Sequence, residues 1–245
     1  MLFDLTTGIY AGLGVVGGLG LSAGGCAYAA MWPDSQLFGK TLTAPRKPGE
    51  LALTFDDGPN PAWTPQLLDL LAECEVKATF FLVGSFAEAE PELVRLVAAG
   101  GHLIGNHSWS HPNLAVTKAD RVKEELERTS AILEQLIGAK VRFFRPPFGG
   151  RRPFVLKTAR QMGMQPVLWN AITTDWETPS ADAIADRLAR TVDGLERRGR
   201  AANIVMHDGG HKGLGANRGP SVAAAGMLLE KYKGNHRFVR LDAWA

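Results

Sequence analysis

LALTFDDGPN, residues 51–60, is an apolar run of strand-forming residues that stops at two adjacent aspartates, Asp56 and Asp57, followed by Gly58 and Pro59. This pattern predicts a buried strand whose C-terminal tip carries both carboxylates into a turn. In α/β proteins with parallel strands, chemistry gathers at that tip. Two neighbouring carboxylates repel, so such a site needs a cation, a proton or both. Taken alone, the same residues also describe a plain Asp-Gly-Pro turn. The rest of the chain decides between the two.

Outward from this stretch, strand-like runs alternate with amphipathic helical runs. The strands are expected at Leu51–Phe55, Ala78–Val83, His102–Asn106, Arg142–Arg145, Gln165–Trp169, Asn203–His207 and Arg237–Leu241. Helices are expected at 64–73, where Thr64 and Pro65 form a cap and first turn, and at 91–99, 117–137, 153–162, 180–195 and 220–232. In the longest, Val122, Leu126, Ile132, Leu133 and Leu136 make one apolar stripe and Gly138 ends it. Strict alternation implies right-handed crossovers and a mostly parallel sheet. Seven strands in a domain of this size suggest a closed or nearly closed barrel.

Titratable residues gather at the strand ends. The third strand runs into His107-Ser108-Trp109-Ser110-His111-Pro112. Two imidazoles four residues apart can share one face of a helical turn and converge on one ion. At this spacing alone, two hydrogen-bonding loop histidines are an equal reading. The fourth strand ends in Arg145-Pro146-Pro147-Phe148-Gly149, where the prolines stiffen the loop that holds Arg145. In isolation Arg145 reads as a surface arginine before a turn. The fifth strand leads to Thr174-Asp175-Trp176 and the sixth to His207-Asp208-Gly209. The coincidence of so many such groups at one end of successive strands argues for a site.

The chain has 245 residues, 45% hydrophobic and 21% charged, enough for one large domain. A net charge of +2 gives no reason to expect nucleic acid, and Arg197, Arg198 and Arg200 read as a solvated helix end. Two cysteines, Cys26 and Cys74, imply no disulfide framework. Residues 1–33 form an apolar segment, uncharged from Leu5 to Pro33, which is long enough to cross a bilayer although its glycines dilute it. It is expected to anchor the protein in the cell envelope, its direction left open. Residues 34–50 read as a linker and 51–245 as the catalytic domain.

The ordered motifs TFDDGP (Thr54–Pro59), HSWSH (His107–His111), RPPFG (Arg145–Gly149), TTDW (Thr173–Trp176) and IVMHD (Ile204–Asp208) resemble the polysaccharide deacetylase family, the NodB-type carbohydrate esterases of family four. The resemblance covers roughly residues 51–242. It implies a distorted (β/α)7 barrel, in agreement with the seven expected strands. It also implies one divalent metal ion held by Asp57, His107 and His111, with zinc the expected ion and cobalt, nickel or manganese compatible with the same donors. By the same resemblance Asp56 is the general base toward water, Arg145 keeps it ionised, and Phe148 offers a backbone N–H to the oxyanion. His207 is the general acid, oriented by Asp175, while Trp176 and Ile204 wall a pocket for the acetyl methyl group.

The expected reaction is removal of N-acetyl groups from amino sugars of a peptidoglycan- or chitin-like polysaccharide or oligosaccharide. An ester-linked acetyl group, as in acetylated xylan, or a small N-acyl compound is the alternative substrate. A catalytically silent carbohydrate-binding module is a third reading, disfavoured because both an acid and a base are present. Two positions depart from the family pattern: Ile172 replaces the first acid of a D-x-x-D-W motif, and Phe148 stands where tyrosine is common. His102, His211 and His236 fall outside the motifs and are expected to play structural or surface roles.

Overall fold

The nine residues of β1 (Glu50–Gly58) are all buried, and the alternation of their side chains divides the interior in two. Leu51, Leu53 and Phe55 join the large core under the helices, whereas Ala52 joins a smaller cluster with Phe81, Phe143, Val167, Val239 and Leu241. Thr54 and Asp56 share the inner face with Ala52. The computed structural model describes residues 25, 28–177 and 179–245. Seven further strands follow: β2 (Thr79–Leu82), β3 (Leu103–Asn106), β4 (Phe143–Phe144), β5 (Gln165–Pro166), β6 (Ala171–Ile172), β7 (Ala202–His207) and β8 (Arg237–Phe238).

All pairings between these strands are parallel, in the order β5-β4-β3-β2-β1-β7-β6. The eighth strand, β8, joins β1 at Glu50 and Leu51, ahead of the point where β2 begins to pair at Thr54. The helices are α1 (Thr64–Glu73), α2 (Gly84–Ala89), α3 (Pro91–Ala99), α4 (Ala119–Ile137), α5 (Pro153–Gln161), α6 (Ala181–Glu196) and α7 (Gly219–Tyr232). This is a distorted (β/α)7 barrel, left open between β5 and β6.

Proline explains part of the distortion. The expected strand Gln165–Trp169 stops at Pro166, which has no N–H to continue the pairing. Val167 N–H still donates to Phe144 O at 2.8 Å, but Leu168 N–H turns to Leu42 O at 2.8 Å, and Leu42 N–H donates to Pro166 O at 2.9 Å. The stretch read as a linker is therefore docked on the barrel. Ser35 and Thr43 are buried, and Asn203 Nδ2 donates to Thr43 O at 3.0 Å. The boundary expected at residue 51 lies inside packed structure.

Most of the apolar N-terminal segment, including Cys26, lies outside the described residues. Among those described, no helix is long and apolar enough to cross a membrane. The helix α4 buries Val122, Leu126 and Leu133 as expected and ends at Gly138, whose φ of 66° is the left-handed cap that glycine adopts freely. His102 and His236 serve structure. The His102 ring accepts the Ala78 N–H at 3.1 Å, and burial, then Lys77 and Arg240, lower its pKa to about 4. His236 packs edge-on against Tyr232.

Candidate active site

Strict alternation along β1 would send Asp56 and Asp57 to opposite faces. A break in the β1–β2 register between Asp56 and Gly58, with Asp57 at φ 68°, turns the second carboxylate back toward the first. Aspartate tolerates this left-handed conformation better than most residues. The bend requires glycines around it. A methyl group at Gly209 would come within 1.8 Å of Asp57 O, and one at Gly58 within 2.6 Å of Asp208 Oδ2. The peptide between Gly58 and Pro59 is cis.

His107–His111 is a loop, not the helical turn its spacing allowed. Pro112 disfavours the α conformation at His111, and both Ser108 (φ 66°) and His111 (φ 55°) are left-handed. Two buried side chains shape this loop. Asn106 Oδ1 accepts the Ser108 N–H at 2.8 Å. Glu125, fully buried on α4, accepts the N–H groups of Trp109 and Ser110 at 2.7 Å each and the Ser110 hydroxyl at 2.6 Å. Neither role was read from the sequence, where Glu125 sits beside an ordinary apolar stripe.

The loop brings both imidazoles onto Asp57. His107 Nε2 lies 3.3 Å and His111 Nε2 3.0 Å from Asp57 Oδ1. The ligand atoms of the three residues lie within 4.8 Å of one another, all buried. His107 Nδ1 sits 2.7 Å from Arg145 O, which can only accept, so Nδ1 carries the proton and Nε2 turns a lone pair toward Asp57. Asp57 Oδ1 finds no hydrogen-bond donor. Acceptors converging in a buried place fit a cation among them.

Asp56 faces the same space from the other side. Arg145 Nη1 donates to Asp56 Oδ1 at 2.7 Å and to Thr54 Oγ1 at 2.7 Å, while Nη2 reaches Asn203 Oδ1 at 3.3 Å. Arg145 is fully buried, and its guanidinium carbon lies 4.1 Å from the centre of the Phe81 ring. Burial lowers its pKa and Asp56 opposes that shift. The surface reading of Arg145 is excluded.

Across the cavity, His207 Nδ1 lies 2.8 Å from Asp175 Oδ1, and the His207 N–H donates to Asp175 Oδ2 at 2.8 Å. Ser221 Oγ donates to the same carboxylate oxygen at 2.6 Å. Burial works against a charged His207 ring, but Asp175 outweighs it and raises the pKa from 6.5 to about 9. The ring thus stays protonated below that pH and loses its proton above it. Asp175→Asn is expected to shift the alkaline limb of the kcat profile by at least about one pH unit toward acid. An unmoved limb in a pH–rate titration would contradict this coupling.

A cavity of about 300 Å³ opens over these groups, walled by Phe148, Trp169, Ile172, Trp176, Val205 and His211. Phe148 and Trp176 stay 47% and 43% exposed, so the mouth is aromatic and accessible. Ile204 is corrected: it is buried in the helix-facing core, and Val205 takes the wall. The register explains this, because Thr54 pairs with Val205 and Asp56 with His207, which puts both β7 residues on the inner face and leaves Ile204 and Met206, opposite Leu53 and Phe55, on the outer one.

His211 is also corrected, from the surface to the site. Its N–H donates to Asp57 Oδ2 at 3.2 Å and its ring stacks on His111 at 5.0 Å. Its place in the glycine-rich run after Asp208 is the one hint the sequence offered. Asp208 is buried beneath Gly58, accepts the Thr64 hydroxyl, and is raised to about 7, chiefly by burial. Thr64 therefore serves Asp208, not the cap of α1, which has no side-chain cap.

Known proteins resemble this chain in sequence and fold. The sequence profile described as polysaccharide deacetylase matches residues 43–167. A Bacillus cereus peptidoglycan-N-acetylglucosamine deacetylase is 43% identical over 147 residues, 60% of this chain and 54% of that protein, so the match spans about half of the relative. A chitooligosaccharide deacetylase of Sinorhizobium fredii is 42% identical over 158 residues, covering 64% of this chain and 71% of the relative. The crystal structure of the Bc1960 peptidoglycan N-acetylglucosamine deacetylase superposes with a TM-score of 0.75 at 36% identity, over 83% of this chain and 91% of that one. With fold, motif order and these relatives in agreement, the chain belongs to the polysaccharide deacetylase family.

Proposed function

We propose that this chain hydrolyses N-acetyl groups of amino sugars in a peptidoglycan- or chitin-like glycan, with one divalent ion held by Asp57, His107 and His111. The observation that carries the reading is a base and an acid on opposite sides of one cavity, Asp56 braced by Arg145 and His207 braced by Asp175. When bound, the ion supplies a Lewis acid that polarises the acetamide carbonyl and lowers the pKa of water. One carboxylate and two imidazoles suit zinc, and also accept cobalt, nickel or manganese.

Asp56 takes the proton of the attacking water, and Arg145 keeps that carboxylate oriented. The backbone N–H of Phe148 faces the developing oxyanion. His207 then gives its proton to the departing amine as the carbon–nitrogen bond breaks. Trp176, Val205 and Ile172 enclose the acetyl methyl group. A histidine held protonated favours an amide over an ester, because an amine leaves only when protonated. The test is acetate release from chitooligosaccharides, peptidoglycan and acetylated xylan, with and without chelator. Chelator-sensitive release from an N-acetylated glycan is expected; release from xylan alone would overturn the amide reading.

The uncharged run that begins at residue 5, ahead of the docked residues 28–33, supports a further proposal, that it anchors the protein in a membrane of the cell envelope. Release of the intact chain from membranes by alkaline carbonate would contradict it.

A further inference from the structure

Arg151 is fully buried, and no carboxylate pairs with it among the described residues. Its partners are main-chain carbonyls on two distant segments. Nη1 donates to Gly149 O at 3.1 Å and Ala30 O at 3.4 Å, and Nη2 to Trp32 O at 2.6 Å and Ser35 O at 3.0 Å. Its own N–H donates to Ala30 O at 3.0 Å. One of these segments is the loop after β4 that carries Phe148. The other is the stretch that docks ahead of β1.

Phe148 sits within that loop at φ 57° and ψ 12°, a left-handed conformation disfavoured for any residue with a side chain. Such conformations persist only where their surroundings fix them, and they concentrate at functional sites. Gly149 follows at φ 67°, and a methyl group there would come within 3.0 Å of the Trp169 ring. The result is a Phe148 ring set edge-on 4.6 Å from His111 and 5.4 Å from His211, on the cavity wall.

We propose that Arg151 is a positioning residue, which clamps residues 30–35 onto the Phe148 loop and thereby holds the Phe148 ring in the substrate cavity. The activity arm of the test rests on the deacetylase reading; the spectroscopic arm does not. Full-length wild type, Arg151→Leu and Arg151→Lys are compared at equal metal content, each with 4-fluorophenylalanine at position 148. In Arg151→Leu, KM for a chitooligosaccharide is expected to rise by about tenfold, and kcat to fall as well because the Phe148 N–H moves with its loop. Its fluorine resonance should move toward the solvent-exposed shift, and Arg151→Lys should show a smaller change in both readings.

An unchanged fluorine resonance in Arg151→Leu overturns the proposal, whatever the activity. So does a displaced resonance with KM unaltered. If Arg151→Leu fails to fold, the Lys variant decides by the same two readings. A wild type inert on every glycan would sink the deacetylase reading, and the resonance would still decide whether Arg151 places Phe148.

Discussion

Asp56→Asn is expected to lower turnover by about 10²- to 10⁴-fold, or roughly 3–5 kcal/mol of transition-state stabilisation, while the metal content stays that of wild type. Asparagine keeps the shape of the side chain and a carbonyl oxygen for Arg145, but it cannot take a proton. The three donors to the ion are untouched, so activity and metal content should separate. The substitution leaves Arg145 without its carboxylate, and a buried guanidinium bonded to an amide loses about 1–3 kcal/mol of stability. That cost is small enough to leave folded enzyme for kinetics. Steady-state acetate release beside elemental analysis makes the check. Activity within about tenfold of wild type would remove Asp56 as the base.

His207→Ala should discriminate between leaving groups. With an N-acetylated glycan the departing amine needs a proton, and a loss of about 10²- to 10³-fold is expected. With an activated aryl acetate the departing phenolate needs little help, and the loss should stay below about tenfold. The contrast follows from the Asp175–His207 pair, whose carboxylate keeps the ring charged against the effect of burial. Parallel kinetics on the two substrates provide the test. Equal losses on both would assign His207 to binding or structure.

Much of the fold was legible because β1, β2, β3 and β7 are apolar runs with clear stops, and the helices between them carry stripes and glycine or proline punctuation. The two-residue β6 (Ala171–Ile172) was not, since so short a strand is defined by its neighbour β7 and not by any pattern of its own. The docking of residues 28–45 escaped for a similar reason. Pro45 and Pro48 suggest a linker, and only the tertiary partners of Leu42 and Arg151 show otherwise.

At the site, the residues standing at strand ends could be found by position. Those acting from elsewhere could not. Glu125 reaches the histidine loop from mid-helix, and Arg151 reaches backward across more than a hundred residues. The exchange of Ile204 for Val205 was avoidable. Once His207 is placed inward, side-chain alternation alone puts Val205 inward and Ile204 outward.

The most direct test of the central claim is an anomalous-scattering map of crystals of the active enzyme, recorded at the absorption edge of the metal that elemental analysis finds. One peak is expected, about 2.0–2.2 Å from Asp57, His107 Nε2 and His111 Nε2, and absent after chelation that abolishes acetate release. Crystals of fully active enzyme with no peak among those three residues would contradict the account.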